Sequence, residues 1–110
     1  MPTIYAKIPA RLKHEFFDEI VRGKAFRLER IVSQGQSTPQ GEWYDQKKDE
    51  WVLLLKGSAG IRIKGKKRVV TLKPGDYLHL PARRKHRVEW TQKDAPTVWL
   101  ALHYQNQKKE

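Results

Sequence analysis

The sequence predicts an all-β fold, an antiparallel sandwich or barrel, and three observations support this. From about residue 26 onward, short segments recur in which apolar and polar residues alternate, the period of a strand with one buried face. Polar segments containing glycine or proline separate them at regular intervals, as turns and loops do. At 110 residues, with 38% apolar and 32% charged residues, the chain is long enough for one domain with a small core.

One segment departs from this pattern and predicts a helix near the N-terminus. Leu12, Phe16 and Ile20 are four residues apart, which places them on one helical face, and Gly23 would end the helix. We therefore expect a single domain with three parts: an N-terminal arm with a short helix packing on the barrel at 1–23, the β-barrel at 24–105, and a basic tail at 106–110.

The strands follow in order after this helix. The first alternates Phe26 and Leu28 against Arg27 and Glu29, the pattern of a strand with one apolar, buried face. A polar loop then leads to the apolar run EWVLLL. The other expected strands form a hairpin within 59–72 that has glycine at its tip, and three short segments at 77–81, 86–91 and 97–104.

Composition limits the chemistry and the location of the protein. The chain has no cysteine, so a metal would be held by nitrogen and oxygen ligands alone. The sequence shows no long apolar stretch and no leader pattern at its start, so we expect a soluble, cytoplasmic protein that does not interact with membranes. The 23 Lys and Arg residues against 12 Asp and Glu give a net charge of +11, which favours solubility and attracts anions.

The spacing within one segment points to a known family. The run GDYLHLPARRKH, residues 75–86, resembles the second motif of the cupin superfamily, in which a glycine, a proline, a second glycine and a histidine have fixed spacing. Gly75, Pro81 and His86 match this motif, and Arg83 stands where the second glycine is usual.

The first cupin motif is present only in its second half. Glu50 and Gly57 match its glutamate and glycine, with six residues between them. The two histidines that precede the glutamate in the family are replaced here, and the replacing pair depends on the spacing that is counted: Tyr44 and Gln46, or Trp43 and Asp45.

The resemblance implies a small single-domain protein with an antiparallel jelly-roll barrel and a site in its lumen. In the family this site usually holds one divalent metal, so the resemblance implies Zn, Fe, Ni, Mn or Co. The candidate metal ligands at the motif positions are Glu50, His86, Gln46 and Tyr44. An amide and a phenol are weaker ligands than the imidazoles that they replace. The alternative is a site without metal, in which Gln46 and Tyr44 bond to backbone and Glu50 pairs with His86 or a nearby arginine.

The resemblance also suggests a function, which is binding of a small molecule in the lumen. Catalysis of oxygenation, isomerisation or a related step is left open. Glu50 and His86 are the candidate catalytic residues, as ligand or general base and as proton carrier. The candidate substrate contacts are Tyr44, Gln46, Arg83 and His103, and the arginine at the mouth would favour a small anionic molecule.

Two other kinds of partner are suggested by the sequence alone. Basic residues gather at 64–68 and 82–87, which makes a non-catalytic binding module for nucleic acid or another anionic partner the alternative function. The aromatic and basic interleaving of a single-strand platform is lacking, so this alternative rests on charge alone. The runs WVLLL and VWLAL are apolar on both faces, and burial of one face in a homodimer would explain them.

Overall fold

The computed structural model describes residues 1–105, which contain eight β-strands and no helix. Aromatic and β-branched residues are frequent in these segments, as expected for strands. The strands are β1 (Phe16–Arg22), β2 (Phe26–Ser33), β3 (Asp49–Lys56), β4 (Ala59–Ile63), β5 (Val70–Leu72), β6 (Tyr77–Leu80), β7 (His86–Thr91) and β8 (Thr97–Tyr104).

The strands form two antiparallel sheets that enclose one core. The larger sheet has the order β1-β2-β8-β3-β6 and the smaller one β5-β4-β7, so the chain crosses repeatedly between the sheets. Apolar side chains from both sheets meet in a single cluster. The all-β antiparallel architecture predicted from the sequence is confirmed. The buried apolar side chains of this cluster are Val52, Leu54, Ala59, Ile61, Leu72, Leu80, Trp99 and Ala101.

The predicted N-terminal helix is wrong. Most of its residues form strand β1, which pairs with β2 from Phe16 opposite Val32 to Arg22 opposite Arg27. Gly23 lies in the hairpin between them and donates its N–H to the carbonyl of Phe26. Edge pairing to an existing sheet gives this segment its hydrogen bonds, and such tertiary pairing overrides a local helical period.

Strand β1 also changes the expected division of the chain. Because it is part of the larger sheet, the barrel begins before residue 23. The arm that precedes it lies against the sheet, where the Arg30 guanidinium donates to the carbonyls of Ile4 and Ala6. The basic tail at 106–110 lies outside the described residues.

Two of the expected turns are confirmed. Strands β4 and β5 pair antiparallel, and Gly65, with a φ of 90°, lies in the turn between them. The turn before β6 is closed by the N–H of Asp76, which donates to the carbonyl of Lys73, and Gly75 has a φ of 93°. A positive φ of this size favours glycine, which explains the residue type at both positions.

The outer face of the larger sheet is apolar where β3 and β8 pair. Trp51 lies opposite Leu102 and Leu53 opposite Leu100, and all four side chains are half-buried. The homodimer that these strands suggest stays a prediction. Among residues 1–105, no helix is long and apolar enough to cross a membrane.

Candidate functional site

A cavity of about 240 Å³ lies between the two sheets. This volume is slightly below the ~300–1,000 Å³ typical of sites for drug-sized ligands, so the cavity suits a small molecule. Its polar lining consists of Glu15, Arg27, Glu29, Tyr44, Gln46, Glu50, His86 and His103, and its apolar lining of Phe17, Ile31, Val52, Ile61, Leu80, Val88 and Trp99.

Strand register separates the polar and apolar ends of this cavity. Glu50 on β3, His103 on β8 and Arg27 on β2 lie side by side in one row across the sheet. Side chains two residues further along a strand point to the same face, and there the rows become progressively apolar. The second row is Val52, Ala101 and Glu29, and the third is Leu54, Trp99 and Ile31.

The structure brings Glu50 and His86 together at the polar end, although they are distant in the sequence. Oε1 of Glu50 lies 3.8 Å from Nε2 of His86, and both side chains are buried. At 3.8 Å these atoms are too far apart for a hydrogen bond. Oε1 of Glu50 is buried and has no hydrogen-bond partner within residues 1–105. A buried carboxylate oxygen without a donor is costly, so a ligand or water that donates to it would be stabilised.

The other nitrogen of His86 fixes which atom faces Glu50. Nδ1 lies 3.1 Å from the carbonyl oxygen of Arg84. A carbonyl oxygen only accepts, so Nδ1 carries the proton and Nε2 of the neutral ring has a lone pair. Two acceptor atoms therefore face each other across the gap between Glu50 and His86.

A second carboxylate and imidazole pair lies beside the first. Nε2 of His103 is 2.9 Å from Oε1 of Glu29, which makes His103 the donor in this hydrogen bond. Nη2 of Arg27 approaches the same oxygen at 3.8 Å. Nε of Arg27 is buried without a hydrogen-bond partner among the described residues. The polar end therefore contains two acceptors and one donor that the described residues leave unused: Oε1 of Glu50, Nε2 of His86 and Nε of Arg27.

The sequence did not identify Arg27 and Glu29 as site residues. Their alternation with Phe26 and Leu28 suggested that the apolar pair would face inward, whereas Arg27 and Glu29 line the cavity and Phe26 is exposed. The sequence signal for the inward face was the apolar Ile31, which lies on the same face of β2 as Arg27 and Glu29 and also lines the cavity. Two faces of comparable polarity cannot be oriented from one strand alone.

Tyr44 and Gln46 both line the cavity, which decides between the two spacings of the first motif. The backbone of Tyr44 pairs with that of His86, and this bridge holds the two rings 5.5 Å apart between centroids. Trp43 instead lies outside the cavity lining, within 6.0 Å of the Arg62 guanidinium. Tyr44 and Gln46 therefore occupy the places where the family usually has histidines.

Burial raises the pKa of the Tyr44 phenol above its ordinary value of 10.0, and the negative charge of Glu15 adds to this effect. The folded state then holds the phenolic proton more tightly than the unfolded state does. The resulting stability is complete below pH 10 and is lost as the pH rises through the raised pKa. We expect the free energy of unfolding to fall less between pH 9 and 11 in Tyr44→Phe than in the wild type, measured by urea denaturation. An equal fall in both proteins would contradict this.

Arg83 lies outside the cavity lining. The guanidinium of Arg83 is exposed and lies 3.3 Å from the Asp45 carboxylate, and the backbone N–H of Arg83 donates to the carbonyl of Gln46. Its φ of 65° is the left-handed conformation that favours glycine, which explains the glycine usual at this position of the motif. Arg83 therefore gives no support to the predicted anionic ligand, which stays a prediction.

The position of Arg83 leads to a direct prediction. We expect Arg83→Gly to change the free energy of unfolding by less than about 1 kcal/mol, because the relief of left-handed strain offsets the added backbone entropy. Ligand affinity should also be unchanged. Calorimetric titration and thermal unfolding of both proteins measure this, and a tenfold loss of affinity would show that Arg83 contacts the ligand.

The donor set does not fit a resident transition metal. In the part of the chain that is described, no three His, Cys, Asp or Glu side chains are grouped to hold one. Glu50 and the free Nε2 of His86 are suitable donors, but Nε2 of His103 is engaged by Glu29. The remaining candidates are a neutral amide and a phenol whose pKa is raised by burial, both poor ligands for such ions.

Comparison with known proteins establishes the family. The family model of the cupin domain matches residues 29–103. This range includes Glu50, His86 and His103, whereas Arg27 lies just before it. The chain belongs to the cupin superfamily. A crystal structure of a proposed mannose-6-phosphate isomerase from Ralstonia eutropha JMP134 is 42% identical to this cupin, with a TM-score of 0.93 over 96% of this chain and 98% of that one.

More distant structures share the fold of this cupin. A cupin superfamily protein from Desulfitobacterium hafniense DCB-2 is 19% identical, with a TM-score of 0.76 over 96% of this chain and 92% of that one. The polyketide cyclase RemF from Streptomyces resistomycificus is 18% identical, with a TM-score of 0.71 over 88% of this chain and 69% of that one. No functionally curated protein matches the sequence significantly.

Proposed function

We propose that this cupin binds a small organic molecule in its cavity and moves protons on it with Glu50 and His86. The observation that carries the proposal is the unpartnered Oε1 of Glu50, which faces Nε2 of His86 across 3.8 Å. Two basic atoms at this separation can each reach one of two neighbouring atoms of a bound ligand. Such a pair suits isomerisation, in which a proton leaves one atom and another atom of the same molecule receives one.

The chemistry can be written for a ligand with a hydroxyl group beside a carbonyl group. The Glu50 carboxylate takes the proton from the carbon that carries the hydroxyl, and Nε2 of His86 passes the hydroxyl proton to the carbonyl oxygen. The intermediate is an enediolate, towards which the unused Nε–H of Arg27 can donate. Glu50 then returns its proton to the former carbonyl carbon, so no atom is gained or lost.

The similar protein from Ralstonia eutropha supports this reaction class. An aldose–ketose isomerisation, the activity proposed for that protein, is a proton transfer of this type. At 42% identity over nearly the whole of both chains, a shared reaction class is a reasonable proposal for this cupin. The substrate does not follow from that name, because one fold hosts many activities.

Exchange with solvent tests the proposed function. Proton transfer at carbon by Glu50 lets solvent deuterium replace the hydrogen beside the carbonyl group. We expect the wild type in D₂O to catalyse this replacement in a set of small hydroxyaldehydes and hydroxyketones, followed by proton NMR. Absence of exchange above the uncatalysed rate for every compound would contradict the proposal.

A divalent metal remains the expectation of the family, and its presence can be measured. Because the donors at the site are few and weak, we expect protein purified without a polyhistidine tag to contain less than one tenth of an equivalent of Zn, Fe, Ni, Mn or Co. Chelation should leave deuterium exchange unchanged. One equivalent of metal in the wild type that is absent from a Glu50→Gln and His86→Asn double variant would contradict the proposed metal-free proton transfer.

Binding of an anionic polymer is a second candidate function, and one contact favours it. The N–H of Lys64 donates to the carbonyl of Lys85 at 2.9 Å, which joins the two basic segments, 64–68 and 82–87, into one surface. We expect a mixed pool of short RNA and DNA to bind there at low salt, with an affinity that falls steeply as salt rises. No binding at low ionic strength, measured by fluorescence anisotropy, would remove this candidate.

A further inference from the structure

We infer that the cavity takes an uncharged ligand with a hydroxyl and a carbonyl group at one end and an apolar body at the other, and that it rejects phosphorylated and carboxylated molecules. This inference rests on the proposed function, because it names the substrate class of the same site. It differs from what the name of the similar protein suggests, since mannose 6-phosphate is an anion.

The charge of the cavity opposes that of the whole protein. The chain has a net charge of +11, yet the cavity is lined by three carboxylates and only one guanidinium. The carboxylates are Glu15, Glu29 and Glu50, from the segment before β1 and from strands β2 and β3. Leaving the imidazoles aside, the lining therefore has three formal negative charges against one positive charge. A phosphate or carboxylate would enter a low-dielectric space whose charges repel it.

The cavity also lacks the groups that usually hold a phosphate. None of its lining residues is a lysine, and its one arginine, Arg27, already lies 3.8 Å from Glu29. Phosphate sites normally combine several cationic or backbone N–H donors. Arg83, which is close in sequence to His86, does not supply such a donor, because it is paired with Asp45 outside the lining.

Two buried polar atoms without a hydrogen bond define what the polar end of the ligand must offer. Oε1 of Glu50 needs a donor and Nε of Arg27 needs an acceptor. Glu50 and Arg27 lie in one row, on either side of His103. A hydroxyl group provides the donor and a neighbouring carbonyl oxygen provides the acceptor. An uncharged hydroxycarbonyl compound therefore satisfies both atoms without adding negative charge.

The opposite end of the cavity favours an apolar body. Beyond the polar row, the wall is formed by Val52, Ile31 and Trp99 from the larger sheet and by Ile61 and Val88 from the smaller one. Hydroxyl groups placed against these side chains would lose their hydrogen bonds to water. A ligand with many hydroxyl groups along its length is thus less suitable than one with a short hydrocarbon chain.

Matched compounds test this inference by calorimetric titration of the wild type. Dihydroxyacetone and dihydroxyacetone phosphate differ only in the phosphoryl group, as do D-mannose and D-mannose 6-phosphate. 1-Hydroxyhexan-2-one adds an apolar chain to the same hydroxycarbonyl head. We expect the uncharged member of each pair to bind at least tenfold more tightly than the phosphate, and 1-hydroxyhexan-2-one to bind most tightly of all.

Variants then identify the cause of the preference. Glu29→Gln removes one cavity carboxylate and should reduce several-fold the ratio of the affinities for the uncharged compound and its phosphate. Glu89→Gln changes a carboxylate outside the lining and should leave this ratio unchanged. If Glu29→Gln fails to fold, Glu15→Gln provides the same test. Phosphates that bind as tightly as their uncharged partners would overturn the inference and leave the proposed function standing. Binding of no compound would overturn both.

Discussion

Glu50→Gln is expected to lower the rate of deuterium exchange at the carbon beside the carbonyl group by about 100-fold or more. General-base catalysis by a positioned side chain contributes ~10²–10⁴-fold, and an amide cannot accept the proton. The substitution preserves the size of a side chain that is buried and has no hydrogen bond at Oε1, so the fold should be retained. Exchange rates by proton NMR, with affinities by calorimetry, separate loss of catalysis from loss of binding.

Two further variants make this result specific. His86→Asn should also lower the exchange rate, because it removes the free Nε2, while Glu89→Gln should retain the wild-type rate. Equal exchange by Glu50→Gln and the wild type would show that Glu50 is not the base. If Glu50→Gln lost both ligand binding and exchange, the titration would show that Glu50 acts in ligand binding rather than in proton transfer.

Gly57→Ala is expected to cause a large loss of stability. Gly57 has a φ of 92°, and a Cβ there would lie 2.8 Å from the Cα of Thr97, a backbone atom that cannot move aside easily. Left-handed strain and overpacking together should lower the free energy of unfolding by about 3 kcal/mol. For a domain of this size that corresponds to a fall in Tm of about 10–20 °C.

A matched glycine separates the two causes. Gly65 has a φ of 90°, and no atom lies within 4 Å of a Cβ placed on it, so Gly65→Ala tests the backbone strain alone. We expect it to cost about 1 kcal/mol. Calorimetric unfolding of both variants measures the difference. Similar losses at the two positions would show that the contact with Thr97 is unimportant.

Much of the fold could be predicted because it depends on local patterns. Alternating or wholly apolar short segments identified the strands from β2 to β8, and glycines between them identified the turns at Gly65 and Gly75, where the structure has positive φ. Strand β1 was misread because Leu12, Phe16 and Ile20 also have helical spacing. Its pairing with β2 is a long-range feature, and a local period cannot reveal it.

The site was predictable only where a motif fixed its residues. The spacing of the two motifs identified Glu50 and His86, which the structure places 3.8 Å apart. Arg27 and Glu29 belong to no motif, and whether they line the cavity depends on which face of β2 is turned toward the smaller sheet. The charge of the cavity could not be read from composition either, since the chain as a whole is strongly basic.

A crystal structure of the wild type with 1-hydroxyhexan-2-one bound would show whether Glu50 and His86 act on a ligand inside the cavity. We expect a ligand oxygen within about 3.2 Å of Nε2 of His86, the neighbouring hydroxyl-bearing carbon beside the Glu50 carboxylate, and the hydrocarbon chain against Trp99 and Ile31. Density for the ligand outside the cavity, or a metal ion coordinated between Glu50 and His86, would contradict it.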